Sequence, residues 1–369
     1  MKFRIDKADF LSAIATVSRA LPARAASPIL EGILIEASVE LSRLRLLATN
    51  TALQIECFVP ADVALPGVIV LPGKLLFEVI RRQIDGELEL SLLEGRQNAV
   101  SIKSGKSRTS MQGFAADEFP ELPPILPKGS FSMPQKSLRS MIAQTLFAVS
   151  TDETRPVLTG GLMEVENGVM TMVGLDGYRL ALRKEPVLFD SDMTAIIPSA
   201  ALSAIERILA DEGDLTVTFS PAAALFDMNH TRITTVLLSG EYMKYRKIIP
   251  AEKLTTVRVD RAGLMAAIDR ASLMARDSKN NLVKFSIAPE VLTVTANSEI
   301  GDVVDEVPIA LTGAELEIAF NAKFMTDVLK VLSEDEIVLE MNTNVSPCVI
   351  KPLSGDAWLY LVLPVRIFS

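Results

Sequence analysis

The chain has 369 residues, 49% of them hydrophobic, with a formal net charge of −9, two cysteines and one histidine. Such a chain can bury two or three ordinary cores, and three fits best. No apolar run reaches the roughly 18 residues that span a bilayer, and the start lacks a secretory h-region and cleavage site, so the expectation is a soluble, cytoplasmic protein without a membrane partner. Cys57 and Cys348 have no metal-type spacing and read as isolated buried thiols. His230, in DMNHTRI, reads as a strand-edge or turn residue, and one histidine cannot build a multi-histidine site. Neither metal nor cofactor is expected.

In chain order, FRIDKADFLSAI at 3–14 reads as a short strand running into an amphipathic helix, with Asp6 as cap and Phe10, Leu11, Ile14 and Val17 on the apolar stripe. LLATNTALQIE around Asn50 reads as strand, Asx turn, strand. LPGKLLFEVI at 71–80 crosses Pro72 into a second helix with Leu75, Leu76, Val79 and Ile80 on its apolar side. A proline-rich linker, PELPPILPKGS, follows at 120–130.

The same grammar then returns twice. FSMPQKSLRSMI at 131–142 and VRVDRAGLMAAI at 257–268 repeat the first helix at offsets of 128 and 126, opened by Pro134 and Asp260. The Asx turn recurs at Asp176 and Asn297, and the second helix recurs after Pro198 and Asn321. A second linker, IIPAEKLTT, lies at 248–256. Segments such as LRLLA and LTVTF alternate with the period of strands. Order and spacing together imply an α+β fold made of three tandem copies of a two-helix plus β-sheet unit, at 1–128, 129–255 and 256–369.

The six helical segments hold 15 basic and 11 acidic residues, which leaves −13 on the rest of the chain. Either the helices face a different electrostatic partner from the sheets, or their Lys and Arg serve solubility. An overall acidic balance argues against phosphate binding, so the distribution has to carry that possibility. Enzyme signals are weak: SGKS at 104–107 resembles the end of a phosphate loop, but the required earlier glycine is Val100. SEDE at 333–336 reads as a solvated helix end, and a hydrolytic triad has no paired histidine available.

Threefold repetition with relatively basic helices resembles the bacterial DNA polymerase III beta subunit family, the replicative sliding clamps. The resemblance covers the whole chain and rests on the opening MKF with its helix, SPILEGILIE at 27–36, LDGYRLA at 175–181 and the closing YLVLPVR at 360–366. It implies a non-catalytic processivity factor with the DNA clamp fold, dimerising head to tail into a six-domain ring around double-stranded DNA. Retention is then topological, and contacts without sequence information suit sliding. The alternative is an acidic repeat scaffold that binds linear peptides and no DNA.

The resemblance places candidate DNA contacts at Arg24, Lys74, Arg81, Arg82, Lys136, Arg139, Arg207, Arg270, Arg276 and Lys323, with Arg24 the best single match. It implies a peptide cleft for the polymerase III alpha subunit, the clamp loader and other clamp-binding peptides. Leu158, Leu175, Gly177, Leu180, Met243, Lys247, Ile248, Leu361, Leu363 and Val365 would form it, with Tyr178 either on its rim or in the core. Read singly, Leu180 and Ile248 are as well explained as core. A dimer interface would use Lys74, Lys106, Arg108, Leu273, Met274, Asp302 and Glu306. Three features depart from the family pattern: Met243-Lys-Tyr-Arg replaces Pro-Asp-Tyr-Arg, Thr109 stands where an aromatic is expected, and Ile367-Phe368-Ser369 extends the usual close.

Overall fold

A computed structural model describes residues 1–189, 191–275, 281–299 and 301–366. Each helix begins where a strand ends. Strand Lys2–Asp6 runs into α1 (Lys7–Val17), Gly67–Pro72 into α2 (Gly73–Arg81) and Gly129–Pro134 into α3 (Gln135–Thr145). Met193–Pro198 runs into α4 (Ser199–Ile208), Thr255–Asp260 into α5 (Arg261–Ala275) and Leu316–Asn321 into α6 (Ala322–Val331). The junction residues satisfy the first free backbone N–H groups: Asp6 accepts from Ala8 N at 2.7 Å, Asp260 from Gly263 N at 2.6 Å and Asn321 from Lys323 N at 2.9 Å.

The apolar stripe of α1 is buried as expected at Phe10, Ile14 and Val17. In α2 the stripe is narrower than expected. Leu76 and Ile80 are fully buried, whereas Leu75 is 53% exposed. One helical step of 100° carries Leu75 off the core face, and a nine-residue helix presents one residue per turn to its sheet.

The chain forms two compact units, residues 1–136 with 207–237, and residues 137–206 with 238 onward. The division follows the sheets. In the first unit a five-stranded sheet lies beside an eight-stranded one, in which strand Thr231–Val236 pairs antiparallel with Leu53–Pro60. In the second, a twelve-stranded sheet is joined where Arg179–Pro186 pairs antiparallel with Trp358–Val362. Edge strands of the central repeat thus extend the sheets of both flanking repeats, and backbone bonding crosses the repeat boundaries.

Helices cover these sheets. In the first unit α1 packs on strands Arg43–Thr49 and Leu53–Pro60 and against α2, with Phe3 and Phe10 edge to face at 6.0 Å. In the second, α5 and α6 pack together over a core that includes Leu264, Ile268, Phe285, Phe320, Met325 and Leu329. Each such side chain stabilises the fold by about 1.5–3 kcal/mol.

Several smaller expectations are decided here. Asn50 and Asp176 make Asx turns, but Asn297 lies inside strand Val291–Ser298, paired with Asp302 in a ladder whose last pair is Ser298 with Gly301. The third repeat replaces the turn with a longer hairpin. SGKS is also a hairpin, Ser104 pairing with Ser107 around a two-residue turn, so no phosphate loop forms. SEDE is less solvated than expected, since Glu334 accepts the Trp358 indole N–H at 2.7 Å. His230 occupies a bend, and both cysteines are buried free thiols. No described helix is long and apolar enough to cross a membrane.

Candidate functional site

The cleft expected around LDGYRLA lies within the second unit. Strands Val169–Leu175 and Arg179–Pro186 pair with Leu175 opposite Leu180, and the next strand sets Leu361 opposite Leu180. A short 3-10 turn, Pro156–Thr159, adds Leu158. Leu158, Leu175, Leu180 and Leu361 are each at most 3% exposed and share one apolar cluster. Four of the expected cleft residues are therefore buried core.

Others of the expected set are exposed. Met243 and Ile248 are exposed on the connector that follows strand Thr231–Val236, Lys247 beside them is exposed, and Leu363 is exposed beyond the last strand. Val365 is half-buried, its N–H donating to Ala319 O at 2.8 Å, while Leu363 N donates to Tyr178 O at 2.9 Å. Tyr178 is not a core residue: it is 62% exposed and stacked on Phe324 at 6.1 Å. Gly177 holds φ +96, where an added Cβ would lie 3.1 Å from Arg155 Nη1. Glycine is required there by the backbone as much as by any ligand.

Sequence reasoning missed two residues that hold this geometry. Arg179 is only 8% exposed, and its guanidinium donates to Asp176 at 3.0 Å, Asp327 at 2.6 Å and Phe147 O at 2.7 Å. It also lies 4.7 Å from the Phe324 ring centre. Burial would raise the Asp327 carboxyl, but hydrogen bonds from Lys323 and Arg179 outweigh it and hold the group below its ordinary value. The second is Glu164, 6% exposed, whose Oε1 accepts from both Tyr245 Oη and Arg246 Nη2. That buried carboxylate pins the connector that carries Met243 and Ile248. Burial and the Glu164 hydrogen bond push the Tyr245 hydroxyl upward, so it stays a donor.

The basic candidates divide by their partners. Arg81 and Arg82 share Glu78 at 2.8 and 3.2 Å, Lys323 reaches Asp327 at 2.7 Å, and Arg270 pairs with Asp305. Arg24, Lys74, Lys136 and Arg207 are exposed, and among the described residues they form no ion pair. Arg139 is half-buried, and Arg276 lies outside the described residues, as do Ile367, Phe368 and Ser369.

Of the interface candidates, Lys106 and Arg108 are exposed at the hairpin of the five-stranded sheet, where Arg108 Nε donates to Ser101 at 3.0 Å. Leu273 on α5 is 54% exposed and Met274 half-buried. Asp302 and Glu306 alternate with Val304, itself 64% exposed, on one side of strand Gly301–Gly313.

Three family descriptions match successive parts of the chain: the DNA polymerase III beta subunit N-terminal domain over 1–123, its central domain over 132–244 and its C-terminal domain over 246–366. The chain belongs to the DNA polymerase III beta subunit family. The beta sliding clamps of Halalkalibacterium halodurans and Bacillus subtilis are each 34% identical to it, over 384 and 382 residues, with both chains fully covered. The solved Bacillus subtilis sliding clamp superposes with a TM-score of 0.96 at 33% identity, and the Thermotoga maritima beta subunit with 0.92 at 28%, each over the full length of both chains. As a member of this family the chain is a DNA sliding clamp, with the α+β clamp fold expected from its repeats.

Proposed function

We propose that the chain works as a head-to-tail homodimer, a six-domain ring through which duplex DNA passes, with domains at 1–128, 129–255 and 256–369. It would act in the cytoplasm and without catalysis of its own. The polymerase alpha subunit, the clamp loader and other partners would insert apolar peptide side chains into the cleft over Leu158, Leu175, Leu180 and Leu361. One observation carries this reading: these four leucines arrive from separate segments, yet share one apolar cluster, while Tyr178, Met243, Ile248 and Leu363 of the same set are exposed. A concave apolar floor with a few polar groups at its edge suits an extended peptide.

Arg24, Lys74, Lys136 and Arg207, exposed and without acidic partners among the described residues, would be the main DNA contacts. Arg81, Arg82, Arg270 and Lys323 would be secondary, because a cation already paired offers less to a phosphate, and Arg139 and Arg276 complete the candidate set. Few and weak contacts leave a threaded ring free to slide. Lys106, Arg108 and Lys74 on one subunit would meet Asp302 and Glu306 on the other, with Leu273 and Met274 as the apolar component.

The test is retention on DNA after loading. The ring should stay on closed circular duplex at a salt concentration that abolishes ordinary phosphate binding, and leave at once when the circle is cut. Equal loss from circular and linear DNA would sink the proposal.

A further inference from the structure

The connector at 242–250 faces two ways. Met243, Lys247 and Ile248 belong to the proposed cleft, whereas Tyr245, Arg246, Ile249 and Pro250 wall a second hollow of about 960 Å3, which none of the eleven cleft residues lines. The volume falls near the upper end of what small-ligand sites occupy, roughly 300–1,000 Å3.

Its floor continues that of the cleft. On strand Arg179–Pro186, Leu180 lies under the cleft and Leu182, two residues on, lines the hollow. On the neighbouring strand Leu361 and Leu359 stand in the same relation, paired with Leu180 and Leu182 respectively. Side chains two apart on a strand share a face, so one apolar surface passes beneath the connector. Leu182, Leu359, Tyr245 and Ile249 accordingly belong with Leu158, Leu175 and Leu180 in a single cluster.

The charges around the hollow decide what it can take. Arg183 pairs with Glu185 at 2.8 Å, Arg246 with Glu166 at 3.0 Å, Lys351 with Glu340 at 2.7 Å, and Lys184 with Asp356. Every cation in the wall is neutralised in place. Phosphate, in nucleic acid or in a lipid headgroup, would find each of these cations already held by a carboxylate. An apolar floor inside a polar, charge-balanced rim is instead the make-up of a protein contact.

We propose that this hollow receives the polypeptide flanking a cleft-bound partner peptide, a segment of low net charge that offers one large apolar side chain. The proposal rests on the cleft reading and extends it: one partner chain would straddle the connector and be held on both sides. Short peptides and whole partners then differ in affinity for a structural reason.

Two substitutions outside the cleft test it. Ala357→Trp adds bulk at an exposed wall position, and Lys184→Glu removes a rim cation and leaves Asp356 without its partner. Each variant is titrated with a short synthetic peptide carrying only the clamp-binding motif of the polymerase alpha subunit, and with the complete alpha subunit, after thermal unfolding confirms an unchanged fold. The complete subunit should bind each variant about tenfold more weakly, a loss of roughly 1.4 kcal/mol, with the peptide unchanged within about twofold. Undiminished binding of the complete subunit to both variants would overturn the proposal. Failure of the cleft reading shows separately, as a short peptide that does not bind the unsubstituted chain.

Discussion

The turns at Asn50 and Asp176 occupy the same place in two copies of the repeat and share one set of bonds. Asn50 Oδ1 accepts from Ala52 N and Leu53 N at 3.0 and 2.8 Å, and Asp176 Oδ1 from Tyr178 N and Arg179 N at 2.8 and 3.0 Å. They differ in what the fourth residue buries. In the first repeat it is Leu53, 5% exposed, an apolar side chain in an apolar place. In the second it is Arg179, nearly as buried, held by two carboxylates, a carbonyl and two aromatic rings. Desolvating a guanidinium is costly, and here the arginine is met by Asp176, Asp327 and the ring of Phe324, on which Tyr178 also stacks.

Making the two turns alike tests the contrast most severely. Arg179→Leu copies the first repeat but strands Asp176 and Asp327, so urea titration should show a loss on the order of 3–4 kcal/mol together with weakened cleft-peptide binding. Stability unchanged by that substitution would mean the arginine is incidental. Leu53→Ala should cost about 3 kcal/mol through a cavity in the first unit and leave peptide affinity untouched. Asn50→Ala removes only the turn acceptor, and a loss of about 1 kcal/mol is expected in the same titration.

The smallest effect is on pH dependence. Asp327 has its folded carboxyl held below the ordinary value of 3.8, so its pairing contributes stability that is fully present above about pH 4 and is lost as pH falls through the lowered folded value. The stability gap between the parent chain and Asp327→Asn, measured by thermal unfolding, should be constant near neutrality and close on acidification. A gap that widens in acid would reverse the sign and contradict the geometry.

Much of the fold is legible in local sequence because its signals are local. Asp6, Asp260 and Asn321 cap the helices they precede, and the strand-to-helix grammar recurs at near-constant spacing. What was not legible depends on distant partners. The joining of Thr231–Val236 to Leu53–Pro60 is a choice of edge that neither strand states by itself. The burial of Arg179 needs Asp327, 148 positions away, and that of Glu164 needs Tyr245 and Arg246. A fourth repeated element was present but unread: the 3-10 turns Pro28–Glu31 and Pro156–Thr159 each lead into a glycine-started strand, and the second supplies Leu158.

Backbone pairing across the repeat boundaries has a mechanical consequence. Amides of Arg179–Pro186 and Trp358–Val362 form a ladder in the middle of a sheet, where hydrogen exchange requires sub-global opening. Such a seam acts as a stiff plate and makes a poor hinge: thermal bending will be stored in loops and at sheet margins, and a pulling force along the strands must shear several bonds at once.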